Sequence, residues 1–214
     1  MIKCGRPAKG NELLSRDRLL DAALALFLEH GYGNLNMETI AKEARVSMRT
    51  IYSQFGGKAG LFGALIRRSS DQFVADLSEE EQPEQALEAF AQKFLYRITR
   101  PDVVRIRAIL IGESTRFPDL ATHFYQQGPQ RTLKVLEQFF AKQQGTGRFV
   151  EMDPRFLAEQ FICSLRGERL QQLQLGLAAT PDEQEIQIWA QQATRLFLYG
   201  CTKNCLCSTE IMLR

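Results

Sequence analysis

The stretch from Asn36 to Lys58 constrains the fold most strongly, because it divides into two short amphipathic segments with a polar turn between them. The first segment has apolar residues at helical spacing, and Asn36 precedes it where a helix N-cap belongs. Ser47 holds the same place before the second segment, whose residues Ile51 and Phe55 are four apart on one face. The pattern predicts two short helices joined by a tight turn, a helix-turn-helix.

The second predicted helix leaves a polar face uncovered. Its outward residues are Met48, Arg49, Thr50, Ser53 and Gln54, with Tyr52 at the border. In a helix-turn-helix, the second helix presents its N-terminal side chains to the major groove of DNA. Other small amphipathic helix pairs have the same spacing, so spacing alone leaves DNA binding and a purely structural role both open.

The identities of these residues carry a resemblance to a known family. The residues concerned are Ile40-Ala41, Ala44, Val46-Ser47, Thr50-Ile51-Tyr52, Phe55, Lys58 and Leu61-Phe62, with Ala22-Ala23, Phe27 and Gly31-Tyr32 upstream. Over roughly Arg16 to Leu65, the chain resembles the DNA-binding segment of TetR-type transcriptional regulators. It departs from the family pattern at Arg45, where glycine is usual, so we expect a non-glycine residue at positive φ there.

The resemblance implies DNA-contacting roles for particular residues. Met48 and Arg49 match positions that face bases, and an arginine there can make a bidentate contact to guanine. Four further positions correspond to phosphate contacts, namely Thr50, Tyr52, Gln54 and Lys58. Ser47, at the start of the same helix, also belongs to the implied DNA-binding set. Arg6, in the basic N-terminal arm, either enters a minor groove or belongs to a solubilising tail.

Charge is distributed unevenly along the chain. Residues 1–68 contain 11 Lys and Arg against 6 Asp and Glu, a net charge of +5. Residues 69–214 contain 16 and 19, a net charge of −3. A basic N-terminal third fits a phosphate-binding head on a nearly neutral body, although ordinary solvated surface can also produce this imbalance.

The rest of the chain also has helical periodicity and no alternating pattern typical of strands. We therefore expect an all-α fold of about nine helices, with Gly128-Pro129 forming either a kink or a helix boundary. The predicted domains are 1–57 for the arm and helix-turn-helix, and 58–214 for ligand sensing and dimerisation. The C-terminal part resembles the ligand-binding domain of the AefR-like branch of the family.

Polar residues among the C-terminal helices are candidates for contacts to a small molecule. They are Tyr96, Arg105, Glu113, His123, Tyr125 and Arg166. Polar groups that face a helical core need partners or a ligand. Surface positions or ion pairs would explain the same residues without a ligand.

Two apolar stripes near the C-terminus predict a dimer interface. The residues are Leu157, Phe161, Leu165, Ile186, Trp189, Ala193 and Phe197. Two such helices from each chain can form a four-helix bundle across a two-fold axis. The alternative is that these stripes complete the core of the single chain.

The chain has little material for catalysis or metal binding. It contains two histidines, and three of its five cysteines form a cluster at Cys201, Cys205 and Cys207. The cluster is either a soft-metal or redox site or a set of incidental thiols. We expect no catalytic residues, metal or cofactor, because no nucleophile has an evident activating base.

These observations predict a cytoplasmic, ligand-responsive DNA-binding regulator. The resemblance implies a repressor that binds a palindromic operator in double-stranded DNA as a homodimer and is released by an apolar or amphipathic effector. No apolar run approaches the length of a membrane helix, so no membrane partner is expected. The alternative is a DNA-binding regulator whose C-terminal domain serves only dimerisation or binding of a protein partner.

Overall fold

The computed structural model describes residues 9–74, 77 and 82–201. This part of the chain contains ten helices and no extended strand, which confirms the all-α prediction. The helices are α1 (Lys9–Asn34), α2 (Met37–Ala44), α3 (Met48–Phe55), α4 (Lys58–Val74), α5 (Pro83–Ile98), α6 (Pro101–Glu113), α7 (Pro118–Gln127), α8 (Pro129–Gly145), α9 (Pro154–Gln174) and α10 (Glu183–Cys201).

Helices α7 and α8 meet at Gly128-Pro129, which the sequence predicts as either a kink or a helix boundary. There the backbone of Gly128 leaves helical geometry, and Pro129 begins α8 as its first residue. Proline suits the first turn of a helix, where its missing N–H would have no partner. Gly128-Pro129 is therefore a helix boundary, which raises the count in the described chain from the predicted nine to ten.

The capping residues of the helix-turn-helix lie where the sequence predicts them. The Asn36 side chain accepts a hydrogen bond from the Thr39 amide at 2.8 Å and begins α2. The Ser47 hydroxyl accepts one from the Thr50 amide at 3.0 Å and begins α3. Between them, Arg45 adopts the left-handed conformation, with φ 55° and ψ 43°. The expected non-glycine residue at positive φ is thus present.

Replacing Arg45 with glycine should stabilise the chain by about 0.5–1 kcal/mol, because glycine adopts positive φ without the steric cost of a Cβ. The midpoint of urea unfolding measures this change. Arg45→Ala is the matched control, since it removes the same charge and keeps the strained backbone. Equal midpoints for the two variants would show that backbone strain at residue 45 is not the cause.

The helices pack into two compact units. Unit 1 contains the described residues up to Arg68 together with Ile106–Gln127. Unit 2 contains Ser69–Arg105 and the described residues from Gly128 onward. These units differ from the predicted domains, because most of α4, most of α6 and all of α7 pack with the helix-turn-helix.

Each unit has its own apolar core. In unit 1, Phe27, Tyr32 and Phe62 pack their rings at centroid distances of 5.4–5.9 Å, and Ile51 of α3 is fully buried beside them. In unit 2, Phe161 contacts the rings of neighbouring helices, including that of Phe197 at 5.0 Å. The other rings of this cluster are Phe73, Phe90, Phe94, Phe139, Phe140 and Phe149. Interlocked rings of this kind hold α5, α8, α9 and α10 together.

Within the described residues, no helix has the length and apolar character needed to cross a membrane.

Candidate nucleic-acid interface

Helix α3 combines a buried inner face with an exposed polar outer face. Ile51 is fully buried, while Arg49 and Gln54 are exposed and Tyr52 exposes 51% of its surface. The helix is anchored by its apolar side and capped by Ser47, so its outer side chains are presented from a fixed backbone. This is the geometry that a groove-reading helix requires.

Two of the predicted DNA contacts are less exposed than the others. Met48 packs partly against the core of unit 1, and Thr50 is half-buried. The Thr50 hydroxyl lies 2.8 Å from that of Ser47, within hydrogen-bonding distance. Both side chains contribute to the start of α3 as well as to its surface.

Two exposed cations next to α3 were missed by the sequence reasoning. Lys42 lies in the last turn of α2 and Arg45 in the turn that follows. With Arg49 they form three exposed cations within eight residues. The signal was present in their spacing, but Arg45 drew attention only as a departure from glycine. Each cation that neutralises a phosphate adds to the salt-dependent part of DNA affinity.

Lys58 lies differently from its predicted role as a phosphate contact. Its ammonium donates a hydrogen bond to the Leu35 carbonyl and lies 4.5 Å from the centroid of the Tyr32 ring. Burial lowers the pKa of Lys58, and the charge of Glu113 acts in the opposite direction. In this conformation the ammonium contacts groups inside unit 1. Arg6, the predicted minor-groove residue, lies outside the described residues.

The six candidate ligand contacts are distributed between the two units. Tyr96, Arg105 and Arg166 belong to unit 2, where Tyr96 lines an open groove of about 510 Å³ with residues of α4, α5 and α10. The remaining three, Glu113, His123 and Tyr125, belong to unit 1. The Glu113 carboxylate already accepts hydrogen bonds from two backbone amides.

A second open groove in unit 2 has no residue that the sequence analysis selected. It measures about 710 Å³ and lies among α5, α10 and the loop before α9. Its lining mixes charged residues, such as Glu88 and Arg195, with the aromatic Tyr199. These residues come from three distant parts of the chain, so local patterns do not reveal the groove.

The predicted dimer interface needs correction. Four of its seven residues, namely Leu157, Phe161, Leu165 and Ile186, are 0–6% exposed and lie in the core of unit 2. The other three, Trp189, Ala193 and Phe197, are partly buried against the same core. The stripes at helical spacing are real, but Leu157, Phe161, Leu165 and Ile186 face inward and leave almost no surface for a partner. Trp189, Ala193 and Phe197 keep part of their surface, so their place in an interface stays a prediction.

Other apolar side chains are exposed on the same two helices. Phe156 of α9 exposes 46% of its surface, and on α10 Ile188 exposes 47%, Leu196 75% and Tyr199 52%. Exposed apolar side chains on adjacent helices are typical of a surface that a protein partner covers. We call these four residues the α9–α10 outer face.

Thiols do not form a recognisable site in the described part of the chain. Cys163 is exposed, and Cys201 is buried, which raises the pKa of its thiol. Cys205 and Cys207, the other members of the predicted cluster, lie outside the described residues, as does Cys4. Among the described residues no group of His, Cys, Asp and Glu has the arrangement of a metal site.

Known families match most of the chain. The family model described as "Bacterial regulatory proteins, tetR family" matches residues 19–65, which include α2 and α3. The family model described as "AefR-like transcriptional repressor, C-terminal domain" matches residues 85–200.

Individual relatives agree with the family models. The chain is 26% identical over 175 residues to the HTH-type transcriptional repressor ComR of Escherichia coli (strain K12), which covers 77% of this chain and 83% of ComR. The solved structure of the flavonoid-responsive regulator FrrA is 33% identical, with a TM-score of 0.70 over 89% of this chain and 98% of FrrA. NalD of Pseudomonas aeruginosa has a TM-score of 0.64 at 21% identity, over 90% of this chain and 98% of NalD, which shows the shared fold alone.

Proposed function

Because this chain belongs to the TetR family of DNA-binding transcriptional regulators, we propose that it is a repressor that binds a palindromic operator as a homodimer and leaves it when a small-molecule effector binds. The observation that carries this proposal is the exposed polar face of a capped, core-anchored α3. The match of residues 85–200 to a repressor C-terminal domain supports repression rather than activation.

The DNA-reading surface we propose is centred on α3. Arg49 and Met48 reach the base edges, while Thr50, Tyr52, Gln54 and the start of α3 at Ser47 contact phosphates or sugars. Arg6 supplies a further minor-groove contact from the arm. Lys42 and Arg45 add phosphate contacts through their exposed charges.

The dimer we propose forms through the α9–α10 outer face. Four helices, two from each chain, then pack across a two-fold axis. The apolar character of Ile188 and Leu196 supports this arrangement, since stable homodimer interfaces are largely apolar. Such a dimer presents two copies of α3 to successive major-groove faces about 34–36 Å apart.

The effector we propose is an amphipathic small molecule. A relative that is 33% identical to this chain is named a flavonoid-responsive regulator, and a flavonoid combines aromatic rings with hydroxyl groups. Tyr96 of the 510 Å³ groove offers an aromatic surface beside the polar side chains of Gln92 and Gln187. By linkage, an effector that favours a non-binding conformation must be bound less tightly when the operator is present.

A second candidate function is a DNA-binding regulator whose C-terminal helices serve only dimerisation or binding of a protein partner. The dense aromatic packing around Phe140 and Phe161 in unit 2 favours it. A thermal-shift screen with polyphenols and fatty acids separates the two candidates. A compound that raises the melting temperature and weakens operator binding supports effector control, while a compound that changes neither leaves dimerisation as the better account.

Arg49→Ala tests the DNA-reading role directly. The variant should lose about 1–3 kcal/mol of preference for the correct base at one position of each half-site, because a bidentate contact to guanine is lost. Its affinity for unrelated DNA should change little. Binding isotherms on the operator and on single-base variants measure the difference, with the exposed Arg67 of α4 mutated to alanine as control. Unchanged base preference in Arg49→Ala would remove Arg49 from the base-reading surface.

A further inference from the structure

Two opposite charges hold the last turn of α1, which follows a break in the helix at Gly31 (φ 77°, ψ 177°), and Leu35 just after it. The Glu113 carboxylate of α6 accepts the amide of Tyr32 at 2.9 Å through Oε1 and the amide of Gly33 at 2.5 Å through Oε2. From the other side, the Lys58 ammonium of α4 binds the carbonyl of Leu35. The carboxylate thus accepts hydrogen bonds from two backbone amides, and the ammonium donates one to a backbone carbonyl. We call this arrangement the Glu113–Lys58 clamp.

The clamp requires a glycine at position 33. A Cβ there would lie 2.8 Å from Oε2 of Glu113 and 3.0 Å from Cε2 of Phe117. The first distance is shorter than real Cβ contacts and the second is tighter than most of them, so any larger residue must displace the carboxylate and press on the ring. Gly33 is not among the residues at positive φ, and its backbone conformation is therefore open to alanine. The close approach of α6 is what excludes a side chain.

Aromatic rings cover part of the clamp. Tyr32 is 5% exposed, and its ring lies against that of Phe117 at 5.2 Å and under the Lys58 ammonium. Burial and the nearby carboxylates of Asp119 and Glu113 raise the pKa of Tyr32 to about 12. Hydrogen bonds to a charged group are strong, and low dielectric surroundings strengthen them further.

Helix α6 has residues in both units. It passes from unit 2 to unit 1 at Ile106. In its first turn, Asp102 pairs with Arg97 of α5 at 3.2 Å, and Arg97 donates to the Ser69 hydroxyl of α4 at 2.8 Å. In its last turn, Glu113 holds the amides that lead into α2. One helix therefore has a charged attachment at each end.

We propose that Glu113 is a positioning residue for DNA binding, which fixes the helix-turn-helix to α6 through the last turn of α1, which leads into α2. The inference rests on the proposed function and adds the group through which α6 acts on α2 and α3. Asn36, the N-cap of α2, follows the clamped residues directly. A shift of α6 displaces the Tyr32 and Gly33 amides, and with them the start of α2.

The same geometry assigns Lys58 to the clamp. Its ammonium is engaged by Leu35 and Tyr32 on the inside of unit 1. Lys58→Met should therefore weaken operator binding without changing its salt dependence. A phosphate contact would instead lower the slope of log affinity against log salt by about one.

Glu113→Gln tests the inference, with binding measured on a duplex that the unmutated protein selects from a random-sequence pool. Glutamine has nearly the same shape but carries no charge and a single acceptor oxygen. We expect roughly tenfold weaker operator binding, an unchanged salt slope, and faster hydrogen exchange in the peptide containing Tyr32 and Gly33. Gly33→Ala should reproduce these changes by displacing the carboxylate.

Glu29→Gln is the matched control, because Glu29 is an exposed carboxylate near the end of α1 that lies 3.8 Å from the imidazole of its neighbour His30. It should bind within about twofold of the unmutated protein, since exposed substitutions change little.

A folded Glu113→Gln that binds equally well, or that leaves hydrogen exchange unchanged, overturns the inference. If Glu113→Gln does not fold, Gly33→Ala decides by the same criteria. If neither variant folds, Glu113 serves folding alone and the positioning role is wrong. Failure of the proposed function gives a different result, because the unmutated protein then selects no duplex.

Discussion

Leu196→Glu should leave the chain folded and reduce operator binding by roughly a hundredfold or more, because a new charge in a two-fold interface meets its own copy and like charges there cost several kcal/mol. Leu196 exposes 75% of its surface on α10, so the substitution removes little packing within the chain. A single subunit offers half of the DNA contacts. Loss of the dimer is therefore expected to abolish tight operator binding.

Sedimentation velocity and operator isotherms measure the two effects of Leu196→Glu together. Ile111→Glu is the matched control, since Ile111 is an apolar residue of α6 with 64% exposure that lies outside the α9–α10 outer face. The control should remain a dimer. A Leu196→Glu protein that sediments as a dimer and binds its operator normally would place the interface on another surface.

Leu165→Glu should have a different outcome, namely loss of the folded structure of unit 2. Leu165 is fully buried in the core that also contains Phe161. An unpaired carboxylate placed there loses its hydration and does not fit the packed core, which destabilises the fold by about 5 kcal/mol or more. This is comparable to the whole stability of an ordinary domain.

Thermal unfolding followed by circular dichroism measures the effect of Leu165→Glu. Gln160→Glu, a charge introduced at an exposed position of the same helix, is the control and should change stability by less than about 0.5 kcal/mol. A soluble, folded monomer of Leu165→Glu would show that Leu165 faces a partner rather than the core of its own chain.

The helix-turn-helix could be predicted from sequence because its determinants are local. Asn36 and Ser47 each cap a helix by bonding an amide three residues later, which is a relation that spacing reveals directly. The positive φ of Arg45 followed from the resemblance, because the family usually has glycine at this position. Ile51 on the inner face and Arg49 on the outer face followed from helical periodicity.

The orientation of α9 and α10 could not be predicted in the same way. Both helices have apolar residues on more than one side, and periodicity does not tell which stripe the chain buries for itself. Leu157 and Phe161 form the more regular stripe, and the fold uses it for the core. Leu196 and Ile188 are fewer and more widely separated, so they gave no comparable signal.

The Glu113–Lys58 clamp was out of reach for a different reason. Glu113 and Gly33 are 80 residues apart, and nothing in the local sequence of either one specifies the other. Glu113 was therefore grouped with candidate ligand contacts as a polar residue among apolar neighbours. The same distance along the chain hides the packing of α6 and α7 with the helix-turn-helix.

The most direct test of the central claim is selection of DNA by the purified, unmutated protein from a random-sequence pool. We predict an enriched site with two-fold symmetry, whose half-sites are read by two copies of α3 about 34–36 Å apart. Footprinting of the selected duplex should show protection on successive major-groove faces, and Arg49→Ala should lose the enrichment at one base of each half-site. A pool without sequence enrichment, or with a single asymmetric site bound by one subunit, would contradict the claim.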